Sequence, residues 1–191
     1  MRSRRPVAQA AAALAIAACL ASCGGPARHS HQAKPARQAT GVLSVGAVGP
    51  LPVVTRELTA ADVQKDSSQA GLAARLRRWG YLGGWQRTFQ GESHRLTLVV
   101  SRSLAFRSDP GAAAFVSYVN KHLSSFYPFA VSKPLALAGQ SGWLIRPPLC
   151  ACHMAEPLYV GVTAAGRQVR WLEINGPRAN STLLASLLED S

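Results

Sequence analysis

The sequence predicts a single α+β domain: one antiparallel β-sheet with its helices packed on one face, following a signal peptide and a disordered tether. Two observations carry that prediction. Hydrophobic spacing alternates along the chain between the helical period (Leu72, Leu76 and Trp79; Ala112, Phe115, Val116, Val119 and Leu123) and strict alternation (Trp85, Arg87 and Phe89; Leu158, Val160 and Val162). The alternating segments are joined by short turns, at Gly91-Glu92-Ser93 and at Ala165-Gly166, and strands joined that way cannot be parallel neighbours.

The chain opens with Arg2, Arg4 and Arg5, then the uncharged stretch Val7 to Ala21, then Leu20-Ala21-Ser22-Cys23. A positive start, an apolar middle of this length and small residues before a cysteine resemble a bacterial lipoprotein signal. The resemblance implies that residues 1–22 are removed and that the Cys23 thiol carries a diacylglyceryl group, with palmitate-type acylation of the new terminus. An ordinary cleaved signal and an uncleaved membrane helix are the alternatives. The helix fits poorly, because crossing a bilayer needs roughly 20 apolar residues and Gly24-Gly25-Pro26 stops this one. Ser3-Arg4-Arg5 leaves the export route open between the general secretory and twin-arginine systems.

Residues 23–50 hold few large apolar side chains and include Pro26, Pro35 and Pro50, which reads as a flexible tether. His29 and His31 within it make at best a weak metal site. The folded part is expected over residues 51–191, long enough for one domain with a real core. The whole chain carries a net charge of +12, and loss of the three leader arginines leaves +9. In an exported chain such a charge favours anionic lipid headgroups or other acidic envelope components. Nucleic acid is not expected as a partner, since no basic helix, zinc-finger spacing or RNA-binding aromatic signature accompanies the charge. Oligomeric state is not legible.

Within the folded part, Thr59 and Asp62 have capping-box spacing. A helix is expected over Ser67 to Trp79, with Gly80 as a left-handed cap and Arg75, Arg77 and Arg78 complementing the helix dipole or contacting phosphate. A hairpin follows from Trp85 to Ser101, then a helix opened by Asp109-Pro110 and bearing His122 near its end. Short apolar pieces broken by Pro134, and Trp143 to Ile145, precede the hairpin from Leu158 to Ile174. Asn180 or Ser181 caps a last helix with Leu183, Leu184, Leu187 and Leu188 on one side. Trp79, Trp85, Trp143 and Trp171 are all expected in the one core.

Gly80-Tyr81-Leu82-Gly83-Gly84-Trp85-Gln86-Arg87, Asp109-Pro110-Gly111-Ala112 and the Ala/Arg/Gly-rich background resemble uncharacterised lipoproteins of high-GC Gram-positive, actinobacterial type. The resemblance implies a location at the extracytoplasmic face of the cell membrane and assigns no catalytic residue.

Gly139-Gln140-Ser141-Gly142 is one residue short of a nucleophile elbow and reads as a turn. HExxH, glycine-rich phosphate loops and acidic metal clusters are missing from the sequence. Cys150-Ala151-Cys152-His153-Met154 offers four soft ligands within five residues, a set that suits copper(I). Oxidising surroundings favour instead a disulfide between Cys150 and Cys152, since Cys19 leaves with the leader and Cys23 is lipidated. A reactive thiol pair is the third state left open. The sequence therefore points to a lipid-anchored binding module of the envelope, more in keeping with recognition than with catalysis and needing no cofactor beyond the lipid. The alternative is a soft-metal or thiol-redox protein using Cys150 and Cys152.

Overall fold

The computed structural model describes residues 39–91, 96–128, 130–137, 140–146 and 156–191, all within the unit Arg37–Ser191. Cys23, Cys150, Cys152, His153 and Met154 lie outside the described residues, as do the leader, His29 and His31. Among the described residues no helix is long and apolar enough to cross a membrane.

The strands are β1 (Val53–Leu58), β2 (Tyr81–Gln90), β3 (Leu98–Phe106), β4 (Val131–Leu137), β5 (Gln140–Arg146), β6 (Leu158–Ala165) and β7 (Gln168–Asn175). They form one sheet in the order β1-β2-β3-β7-β6-β5-β4, with antiparallel pairing throughout. Two meanders, β1 to β3 and β4 to β7, thus meet along the β3–β7 seam. The helices are α1 (Ala60–Ser67), α2 (Leu72–Arg78), α3 (Asp109–Lys121), α4 (Leu123–Phe126) and α5 (Ser181–Glu189). This is the α+β class and antiparallel sheet that the periodicity predicts.

The helices do not share one face. Leu104 and Phe106 of β3, Val160 and Val162 of β6, and Val169 and Trp171 of β7 pack with α1 to α4 around Phe115. Val99 of β3 and Leu172 and Ile174 of β7 point the other way, into a second core with Leu184, Leu187 and Leu188 of α5. The central strands are apolar at odd and even positions alike, so both faces must be covered. Gly161 lets α5 lie close: a Cβ there would stand 2.3 Å from Leu188 Cδ1.

The boundary expected at Leu51 falls inside packed structure. Leu43 is fully buried in the second core, its N–H donates to the Ser101 hydroxyl at 3.1 Å, and its carbonyl accepts from Arg87. Val42 and Leu43 sit side by side in a glycine-rich stretch with no sustained period, so their burial leaves no pattern to read.

Local signals mostly hold. Thr59 and Asp62 form the capping box, and Asn180 caps α5. α3 is capped by Ser108 and not by Asp109, the cap expected from the sequence, because the Ser108 hydroxyl accepts from the Gly111 N–H, with Asp109 and Pro110 both in the first turn. The helix expected from Ser67 is interrupted: Ser68 and Gly71 adopt φ of 54° and 76°, so α1 ends at Ser67 and α2 begins at Leu72. Gly83, with φ 144°, sits at a register shift inside β2 rather than before it. Gln140 and Ser141 begin β5 instead of forming a turn. β4 runs through Pro134, which an edge strand tolerates. Trp143 and Trp171 are buried in the main core as expected, with Trp79 half-buried against it. Trp85 is half-buried and points to the opposite face, because its register partner is Ser103.

Candidate functional site

One row of the sheet crosses four strands as Arg56, Gln86, Arg102 and Trp171, each the register partner of the next. Alternation puts all four on the face covered by α1 to α4, and Glu173 follows Trp171 two residues along β7 on that face. Three charged groups on a face covered by helices need partners, since an unpaired buried charge is very costly. The fold supplies them from both sides.

Arg102 donates from Nη1 to Glu173 Oε1 at 2.6 Å and from Nε to Gln86 Oε1 at 2.8 Å. The Arg102 and Glu173 side chains are only 15% and 12% exposed. The Tyr127 hydroxyl, presented just after α4, donates to the same Glu173 oxygen at 2.9 Å. Arg56 donates to Gln86 Oε1 at 3.3 Å and pairs with Asp66 of α1. The guanidinium of Arg102 lies 5.4 Å from the centre of the Trp171 ring, a cation–π distance.

A cavity of about 110 Å³ opens above this network, walled by Val63, Asp66 and Ser67 of α1, by Phe126 and Tyr127, and floored by Leu104 and Trp171. Burial works against the charge on Arg102, and Glu173, together with Tyr127 and Asp66, more than restores it. Burial, then the neighbouring Glu173 carboxylate, holds the Tyr127 phenol well above its ordinary range, so it remains a donor at any physiological pH. Two cations and two anions balance, leaving a neutral site with polar edges and apolar walls. The Ser67 hydroxyl donates to Val63 and Gln64 carbonyls within its own helix. Such a set of groups is fitted to orient a small ligand by hydrogen bonds.

A second, open groove of about 500 Å³ lies where β2 begins, lined among others by Glu57, Arg77, Leu82, Trp85 and Gln168. His122 ends α3 with its ring 4.3 Å from that of Tyr118. Among the described residues no three metal-type side chains gather.

The candidate site residues of the sequence, Cys23, Cys150, Cys152, His153 and Met154, lie outside the described residues; Trp171, expected only as core, forms part of the floor of the Arg102 cavity. The remaining members left a faint signal: Arg102 is in phase with Leu104 and Phe106, and Glu173 with Val169 and Trp171. A charge on the core-facing phase of two separate strands, of opposite sign, marks a buried pair.

No protein-family model matches the chain, and no curated protein matches it. Among solved structures it is similar to the extracellular domain of PknH from Mycobacterium tuberculosis, at 10% sequence identity and a TM-score of 0.48, over 73% of this chain and 79% of that one.

Proposed function

We propose that this chain is a lipid-anchored module of the extracytoplasmic membrane face that binds a small, uncharged polar ligand in the cavity above Arg102 and Glu173. The observation carrying the ligand reading is the cavity itself, which joins apolar walls to a charge-balanced, hydrogen-bonded floor beneath two helices. Location rests on the run from Arg2 to Cys23. Recognition is favoured over turnover because the ionisable groups at the cavity are engaged in pairs or held far from neutral pKa, whereas general acid–base work wants a group that titrates near the working pH.

Titrating the purified protein with acetamide or glycerol while following the Trp171 indole N–H resonance tests the cavity. Saturable shifts that vanish in Val63→Phe support it; shifts that persist unchanged when the cavity is filled refute it. Mass spectrometry of the exported protein tests the anchor, with acylation on Cys23 expected and lost in Cys23→Ser.

The competing reading rests on Cys150-Ala151-Cys152-His153-Met154. We take Cys150 and Cys152 as a disulfide, so alkylation under non-reducing conditions is expected to label neither. Two labelled thiols, or stoichiometric copper on the purified protein, would replace the ligand-binding reading with a soft-metal or redox one.

A further inference from the structure

Four exposed arginines occupy the turns at a single end of the sheet. Arg77 and Arg78 close α2, Arg107 follows β3, and Arg167 lies in the β6–β7 turn. Backbone bonds tie these turns together: Arg107 N–H donates to the Gly80 carbonyl and Phe106 N–H to the Arg167 carbonyl, each at 2.8 Å. The ion pairs among the described residues, Arg56–Asp66 and Arg102–Glu173, involve none of the four. Acidic groups also lie toward this end: Glu57 lines the groove with Arg77, the Asp109 carboxylate approaches Gly166, the end of α5 with Glu189 and Asp190 packs near Arg170, and the Asp62 carboxylate is already taken by the Thr59 N–H and hydroxyl. Leu82, 63% exposed, projects from the same end.

The described chain also begins there. Thr40 lines the groove shared by Arg77, Leu82 and Gln168, and Gly41 packs so tightly on Gln168 that a Cβ would stand 2.1 Å from its Nε2. From Cys23 to Ala39 the chain reaches at most ~58 Å even fully extended. On the lipid-anchor reading, on which this inference rests, the tether joins the domain at the arginine-bearing end.

We propose that this end of the sheet is a membrane-docking surface for anionic phospholipid, with Arg77, Arg78, Arg107 and Arg167 on headgroup phosphates and Leu82 at the acyl boundary. Charge complementarity selects the lipid, and the point of chain entry selects the face. Docking this way turns the two meanders' far ends, with Val131 and Arg146, away from the bilayer.

The test uses the chain from residue 23 with Cys23→Ser, sedimented with vesicles of phosphatidylcholine alone or mixed with phosphatidylglycerol. Salt-sensitive binding to the anionic vesicles is expected, weakened roughly 10–30-fold by Arg77→Gln with Arg167→Gln. Lys133→Gln with Arg146→Gln removes the same charge at the opposite end and leaves binding unchanged. Equal loss from both pairs reduces the effect to net charge and overturns the proposal, as does no binding or equal binding to phosphatidylcholine. Displacement by poly(glycerol phosphate) or duplex DNA at lower phosphate concentration than the vesicles overturns the lipid assignment. Because the Cys23→Ser chain has no acyl group, this result stands apart from the anchor reading, which acylation of the wild-type cysteine decides.

Discussion

At the scale of single residues, the Arg102–Glu173 pair is the most consequential arrangement in the described chain. Taking two charges out of water is expensive, and their attraction repays it only while both are present and their remaining groups are bonded. Arg102→Met or Glu173→Leu alone should each cost about 3–5 kcal/mol in denaturant unfolding. The double substitution should recover much of that loss, because it leaves no stranded charge; a double variant as unstable as the sum of the singles would show the pair to be uncoupled. Tyr127 adds an alkaline signature. Its pKa in the fold is raised above the ordinary 10.0 by burial and by Glu173, as burial raises that of Tyr81, whose hydroxyl donates to the Leu58 carbonyl. The unfolded chain therefore loses these protons first. Their contribution is complete below pH about 10 and declines as pH rises toward the folded values. The urea midpoint should fall on that limb, and Tyr127→Phe should shallow the fall.

At the scale of elements, α1 depends on its cap and α3 on close approach. Thr59 and Asp62 satisfy each other's orphan groups at the start of α1, so Thr59→Ala should cost about 1 kcal/mol. The Asp62 carboxylate is held below its usual range by the Thr59 hydroxyl and N–H. That contribution is present above the ordinary value of 3.8 and is lost as pH falls through the lower folded value, so Thr59→Ala should matter least in acid. Gly111, in the first turn of α3, lies where a Cβ would stand 2.1 Å from the Trp79 carbonyl oxygen. Backbone cannot yield as a side chain does, and Gly111→Ala should cost roughly 1–3 kcal/mol. A Gly111→Ala protein with an unchanged midpoint would mean that α3 sits farther from the α2–β2 turn than described.

At the scale of the whole molecule, the sheet is a septum between two cores, and the smaller core borrows residues from before the expected domain boundary. Leu43 is fully buried beside Phe89, Val99 and Leu172. Leu43→Ala should therefore cost about 2–5 kcal/mol, the range for a buried leucine, and a chain beginning at Leu51 should lose at least as much. A chain from Leu51 that matches the full-length midpoint would return residues 39–50 to the tether.

What the sequence determined by itself is local: the caps at Thr59 and Asn180, the left-handed Gly80, the turn at Gly166, and the two periods that assign helix or strand. Each depends on dihedral preference or on bonds between residues a few positions apart, so the physics is contained in the stretch being read. Even there, Ser68 adopting a left-handed turn was not legible, because a polar run favours neither helix nor break strongly enough to decide. The tertiary structure alone decided that β3 pairs with β7, that Arg102 meets Glu173, that α5 covers the second face and that Leu43 fills its core. These follow from where two meanders join, and chain separation carries no record of that join. Charge and burial acquire their meaning only once the faces are set, which is why the cavity above Arg102 emerged from packing and not from any motif.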